Sequence, residues 1–272
     1  MNIKSLHIYP VKSAHAVNIT TINIRPRGLT GDRRYMLVDS DGKFITQRQI
    51  PKLARLKVET LKTGIALHWP DTAPLFINAD TFHGRNTVTV WRSSVDASLA
   101  HPSINETLSS WLGTHVSLVH MDEKSERFAN PDWTDSPSPV SFADGYPILI
   151  TNTASLTALN ALILSGGGTE VPMSQFRPNI VIDSNEPWGE DHWKALQIGD
   201  VVLDLVKPCA RCIMTTINQK TGEKLGREPL RALKNLRPSI DPRNPGVLFG
   251  MNAVARICGE VTNGSRVVLG IK

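Results

Sequence analysis

The 272-residue chain is 40 % apolar and 20 % charged, the balance of a chain that buries a core, and its length allows one large or two modest domains. No run approaches the roughly 18 apolar residues of a membrane helix, and the first residues, MNIKSLHIYPVKS, read as a strand and not a signal peptide. Thirty basic and 25 acidic residues, net +5, are spread without a basic block; this allows an anionic ligand, but neither nucleic acid nor membrane is expected as a partner. Three cysteines (Cys209, Cys212, Cys258) are too few for a disulfide scaffold and predict a reducing, cytoplasmic compartment.

The chain opens on an alternating strand, Ile3 to Tyr9, broken at Pro10 and followed by the turn Val11-Lys-Ser13. A second strand runs from Val17 to Ile24. Gly28-Leu-Thr-Gly31 turns, and Asp32-Arg33-Arg34 leads into the strand Tyr35 to Val38. Asp41-Gly42 is a hairpin signal before Phe44 to Gln47. The β pattern continues through Leu53 to Leu61, Ile65 to Trp69, Leu75 to Ile77 and Thr87 to Trp91. Ile104, Leu108, Trp111 and Leu112 have helical spacing, and Gly113 stops the helix. Val116 to His120 is again a strand. Asp122 to Pro139 is polar, carries three prolines and lacks periodicity; it reads as a long loop and as the seam between residues 1–122 and 123–272.

Beyond the seam, Ile148 to Ile150 is an apolar strand, and Thr153 caps a helix with Leu156, Leu159 and Ile163 on one face. Ile180-Val-Ile182 is a strand, and Trp188 to Trp193 is a polar loop or short helix. Ile198 to Val206 is a strand interrupted by Gly199-Asp200. Glu228 to Leu236 is a helix with Pro229 in its first turn. Val247 to Ile257 and Val261 to Leu269 are strands, the last holding an Asn263-Gly264 turn. Strands dominate and helices are short, so the predicted fold is mainly β with some α and barrel-like.

The chemistry concentrates in Lys207-Pro-Cys-Ala-Arg-Cys-Ile-Met-Thr-Thr216. A thiolate between Lys207 and Arg211 gains from the nearby positive charge, and a thiolate attacks disulfides or binds soft metals. Structural zinc needs about four ligands, and no second pair exists. A thioredoxin-like pair opens a helix, whereas the residues after Cys212 read as a strand. Two inert buried cysteines remain the plain alternative, opposed by the charged neighbours. Lys12-Ser13, Arg33, Arg48 and Arg177 stand at strand ends, where a fixed scaffold presents donors to phosphate or carboxylate; each alone reads as a solvated charge. The helix start Thr153-Ala-Ser155 offers free N–H groups to an anion, or is an ordinary cap. Asp144, His192, Trp188 and Trp193 carry weaker signals, and no Walker, Rossmann or Gly-x-Ser-x-Gly motif is present.

Tyr9-Pro-Val-Lys-Ser13, Gly28-Leu-x-x-Asp-Arg33, Thr46-x-Arg-Gln49, Ser141-Phe-Ala-Asp-Gly-Tyr-Pro147, Phe176-Arg-Pro-Asn-Ile-Val181, Pro208-Cys-x-Arg-Cys-x-x-Thr-Thr216 and Phe249-Gly250 follow one another in that order. Together they resemble the MOSC proteins, and more narrowly the bacterial YcbX proteins and the mitochondrial amidoxime-reducing component. The resemblance implies a MOSC β-barrel over residues 123–272, preceded by an N-terminal β-barrel-like partner domain over 1–122. It also implies a molybdenum cofactor of the molybdopterin type held between them. By the same resemblance Cys212 ligates molybdenum and is the catalytic position, with Cys209 beside it. The pterin and phosphate fall to Lys12, Ser13, Arg33, Arg48, Ala154, Ser155, Arg177, Asn179, Arg211 and Asn252; Ala154 offers only backbone. YcbX proteins commonly continue into a ferredoxin-like [2Fe–2S] domain, which this sequence does not contain, so the expected electron source is a separate ferredoxin-like or flavin reductase protein. The implied activity is reduction of small N-hydroxylated compounds: hydroxylamines, amidoximes or N-hydroxylated bases. The alternative is a non-enzymatic cofactor carrier, or a sulfur-transfer protein working through a cysteine persulfide.

Overall fold

The computed structural model describes residues 1–270. Its largest sheet has eight strands in the spatial order Val268–Gly270, Ala195–Ile198, Val201–Arg211, Val247–Ile257, Ile148–Asn152, Ile180–Asp183, Asn2–Ile8 and Val17–Ile19. The first strand of the chain thus lies antiparallel to Ile180–Asp183, with Leu6 opposite Ile180. The sheet's inner face is a run of branched aliphatics, among them Ile3, Leu6, Ile8, Ile148, Ile150, Ile180, Ile182 and Leu203, all fully or nearly fully buried. Such side chains pack well on a pleated surface, so one apolar face drives the pairing. The parallel pair in this sheet, Ile148–Asn152 with Ile180–Asp183, is bridged by the helix Thr153–Ser165, since parallel strands need a long crossover.

Residues 28–121 supply most of the other sheets. Tyr35–Val38, Ser117–His120, Ser93–Ala100 and Phe82–Val90 form a four-stranded antiparallel sheet. Lys57–Leu61, Gly64–His68 and Leu75–Ile77 form a three-stranded one, and Gly259–Thr262, Thr21–Arg25 and Gly28–Leu29 another. A second core of Val11, Leu37, Leu53, Leu67, Leu108, Leu112 and Leu118 lies under the helix Pro102–Leu112.

The expected barrels are not found. Among the described residues no sheet closes on itself, and the fold is a mixed α/β assembly of several open sheets. The eight-stranded sheet ends in strands of three residues each, Val17–Ile19 and Val268–Gly270, which do not pair with each other. Near one corner the bridge Asn2–Arg266 and bonds such as Ile3 N–H to Ser265 O touch the sheet, but no ladder follows from them. A barrel needs continuous pairing around the ring with a consistent stagger.

Three local expectations also change. The helix at 153 is capped by Asn152, whose side chain accepts from Ala154 N–H, and not by Thr153. Pro229 precedes the helix Leu230–Leu236 as its cap residue. The residues after Cys212 form a short 3-10 turn, Ile213–Thr216, and not a strand. No helix is long and apolar enough to cross a membrane.

Candidate functional site

The strand Val201–Arg211 alternates buried and half-buried as far as Leu205, then loses the alternation. Its register against Val247–Ile257 shifts between Leu205 and Lys207 and again between Pro208 and Ala210. Pro208 brings no N–H to the ladder, so an irregular pairing is where it fits. Bulges re-aim side chains, and here they turn Cys209 and Arg211 toward a cavity of about 480 Å³ that Cys212 also lines.

The same cavity collects basic residues from distant turns: Lys12, Arg33, Arg48, Arg177, Lys207 and Arg211, with the carboxylate of Asp144 among them. Four lining residues, Ser13, Arg33, Trp91 and Arg177, hold φ of 67, 48, 57 and 54°. Left-handed backbone at non-glycine residues is unfavourable and gathers where neighbours over-determine the conformation, often at functional sites.

Those neighbours are visible. Lys12, 4 % exposed, donates from Nζ to Phe142 O at 2.7 Å and to Asp144 Oδ1 at 2.6 Å. Arg33 donates to Asp32 Oδ2 at 2.5 Å and to Asn179 Oδ1 at 2.8 Å, while Asp32 accepts from Tyr9 N–H. Arg33 and Arg177 both lie against the buried Tyr9 ring, 4.4 and 4.2 Å from its centre. Arg177 donates to Ala14 O and Gln219 Oε1, each at 2.9 Å. Gln219 and Gln47 exchange reciprocal amide bonds at 3.0 and 2.9 Å, and Gln47 also donates to Ser13 O.

Each of the two cavity thiols has its own guanidinium. Arg48 Nη2 donates to Cys212 Sγ at 3.5 Å, and Arg211 Nη1 donates to Cys209 Sγ at 2.9 Å. The sequence pointed to Lys207 as a partner of the thiols, but its ammonium lies over Trp133 and Tyr146. Asn252 donates to Lys207 O at 3.2 Å. Burial pushes the Lys12 ammonium down to about 8, against the pull of Asp144. Burial likewise lowers Arg177, to about 10. Desolvation by its neighbours works against the Asp144 carboxylate, although its side chain is 64 % exposed, and Lys12, Arg48 and the Trp91 N–H hold it well below the usual carboxylate range.

Of the eleven residues that the resemblance assigns to the cofactor, nine line this one cavity: Lys12, Ser13, Arg33, Arg48, Arg177, Asn179, Arg211, Cys212 and Asn252. Ala154 and Ser155 are not among its lining residues. Ala154 N–H is taken by Asn152, and the buried Ser155 hydroxyl donates to Glu190 Oε2 at 2.7 Å and accepts from Trp188 N–H. Sequence reasoning passed over Trp91 and Gln175, which also line the cavity. Gln175 is 1 % exposed, and both its amide atoms lack a hydrogen-bond partner, as does Arg211 Nε. Its position directly before Phe176-Arg-Pro-Asn179 was the available signal.

The cavity sets the Cys209 and Cys212 sulfurs beside six cationic side chains, a lining whose chemistry suits an anionic group next to a thiol. The chain belongs to the MOSC family: residues 1–115 match the MOSC N-terminal beta barrel domain and residues 137–268 the MOSC domain. It is 29 % identical to mitochondrial amidoxime-reducing component 1 of Homo sapiens, over 98 % of this chain and 82 % of that protein. It is equally similar, 29 %, to mitochondrial amidoxime reducing component 2 of Rattus norvegicus, over 97 and 82 %. A molybdenum cofactor sulfurase of Oryza sativa subsp. japonica is 28 % identical over 92 % of this chain, which spans 32 % of that longer protein. The chain is thus related to enzymes of molybdenum cofactor chemistry. Relatives named for the mitochondrion overturn the cytoplasmic location expected above. Cysteine usage reports the redox state of a compartment and not which compartment it is.

Proposed function

We propose that the chain is a molybdenum-cofactor-dependent oxidoreductase that reduces small N-hydroxylated compounds with electrons from a separate donor protein. The observation that carries this reading is Cys212 Sγ, 3.5 Å from Arg48 Nη2, in a cavity lined by six basic residues and one carboxylate.

The lining fits such a cofactor on two counts. Cations buried without matching carboxylates are costly, and an anionic phosphate would relieve that cost. The unpartnered Gln175 amide and Arg211 Nε would be satisfied by a flat, hydrogen-bonding ring system. Among the described residues no three or more His, Cys, Asp and Glu gather into a metal cluster. The metal would therefore come with ligands of its own and take one thiolate from the chain.

Bound here, the cofactor supplies a two-electron centre able to take oxygen from an N–OH group. The chain's own share is placement. Cys212 supplies the ligating thiolate, and Arg48 steadies its charge. Lys12, Ser13, Arg33, Arg177, Asn179, Arg211 and Asn252 would hold the cofactor's phosphate and ring system. The strained backbones of Ser13, Arg33 and Arg177 fix these donors before the ligand arrives, so little ordering cost remains. We place the cavity between units of residues 1–122 and 123–272.

Cys212→Ser is expected to lower reduction of benzamidoxime, driven by a chemical reductant, by at least about a thousandfold; wild-type turnover in the variant would overturn the assignment. A second reading, sulfur transfer, draws on Cys209, whose Sγ meets Arg211 Nη1 at 2.9 Å, and on the sulfurase relatives. A persulfide on Cys209 in intact-protein mass spectra, without amidoxime turnover, would favour it.

A further inference from the structure

We propose that Trp91, stacked with Arg48, is the specificity-determining surface of the site and selects planar, conjugated N-hydroxylated substrates over small saturated ones. This rests on the N-hydroxyl reductase reading given above. Trp91 is the first residue of the two-residue loop joining Phe82–Val90 to Ser93–Ala100, where Val90 pairs with Ser93. Its φ is 57°, a conformation that tight hairpins usually give to glycine, asparagine or aspartate. A bulky side chain persists there only where its surroundings hold it.

Three contacts hold it. The indole N–H donates to Asp144 Oδ1 at 3.3 Å. The ring meets Phe44 at 5.1 Å, tilted by 47°. The Arg48 guanidinium lies over it, 4.7 Å from the ring centre. Asp144 is in turn fixed by Lys12 at 2.6 Å. An indole serving only to fill the core would end buried, yet this one remains 44 % exposed while lining the cavity. It is a rigid aromatic surface with part of its area left open.

Its position relative to the sulfur gives that open area a use. Arg48 stacks on the indole and also reaches Cys212 Sγ, so ring, guanidinium and thiol stand in sequence. A conjugated amidoxime or N-hydroxylated base has a π face that stacks on indole and guanidinium, with its N–OH group directed toward the sulfur. Hydroxylamine and saturated analogues have no such face. Aromatic stacking of a base contributes enough binding for alanine-type truncation to cost about tenfold.

The test uses holoenzyme and compares kcat/KM for benzamidoxime with that for hydroxylamine in wild type, Trp91→Leu and Trp91→Phe. In Trp91→Leu the benzamidoxime-to-hydroxylamine ratio is expected to fall about tenfold, mainly through KM. Trp91→Phe keeps a ring and is expected to restore most of the ratio. An unchanged ratio in Trp91→Leu, or an equal fall on both compounds, would overturn the proposal, the second by making Trp91 a structural residue. Calorimetric titration of benzamidoxime into wild type and Trp91→Leu separates this from the underlying function. Binding that depends on Trp91 without turnover of either compound would sink the reductase reading and leave the stacking surface standing. Turnover of both compounds with Trp91-independent binding would do the reverse.

Discussion

Lys12 shows most clearly what the site is built to meet. Its ammonium is buried, bonded to one carbonyl and one carboxylate, and pushed down to about 8 by burial. The charge is therefore present below about pH 8 and lost above it. Binding of an anion to the cofactor-free protein should weaken as pH rises through that value. Losing one charge-assisted bond would cost about tenfold in affinity. Phosphate titrations at about pH 7 and about pH 9.5 check this; Lys12→Arg, which stays charged over this range, should remove the break. Gln175 is buried with both amide atoms unpartnered. An unpartnered buried amide costs about 1–3 kcal/mol, so Gln175→Leu should raise the melting temperature of cofactor-free protein while lowering the pterin it retains on purification. A lower melting temperature with unchanged pterin would show that the amide serves packing.

Among the elements, the strand Val247–Ile257 explains how the arginine-bearing turn is held. Phe249 stacks on Phe176 at 3.8 Å, one residue before Arg177. Gly250, with φ of 78°, lets the strand pass close to Ile150: a Cβ there would stand 2.7 Å from Ile150 O and 2.9 Å from Thr151 Cγ2. Gly250→Ala is expected to cost about 2–4 kcal/mol, read by urea unfolding. A loss below about 0.5 kcal/mol would mean that the strand can shift freely. Here the limits of the sequence also become physical. Alternation revealed the strand leading to the cysteines as far as Val206, because one face is buried. The bulges beyond it depend on a partner some forty residues away, and periodicity carries no trace of them. Asn152 and Thr153 are both cap-forming types, and the backbone geometry decides for Asn152. The sequence places Trp91 at the end of a strand, because the contacts that hold its positive φ are tertiary.

At the scale of the molecule, the cavity draws its walls from both ends of the sequence. Lys12, Arg33, Arg48 and Trp91 come from the first hundred residues; Arg177, Arg211 and Cys212 come from the last hundred. The Gln47–Gln219 amide pair ties the two sets together and orients Arg177 and the Ser13 carbonyl. Gln47→Ala and Gln219→Ala should each cost about 1–3 kcal/mol, and the double variant clearly less than their sum; strict additivity would show that the pair does not act as a unit. Such pairings, and the choice between open sheets and a closed barrel, are decided by contacts far apart in the chain. The motifs name candidate residues, and the tertiary structure decides which of them meet.

Whether Cys212 holds a molybdenum cofactor in this cationic cavity is read from the molybdenum and pterin content of protein purified from a host that makes the cofactor, for wild type and Cys212→Ser. Wild type should carry close to one molybdenum and one pterin per chain. The variant should lose most of the metal and keep part of the pterin, because the cations that hold the phosphate are intact. Folded wild-type protein from such a host with neither molybdenum nor pterin would rule out cofactor binding at Cys212.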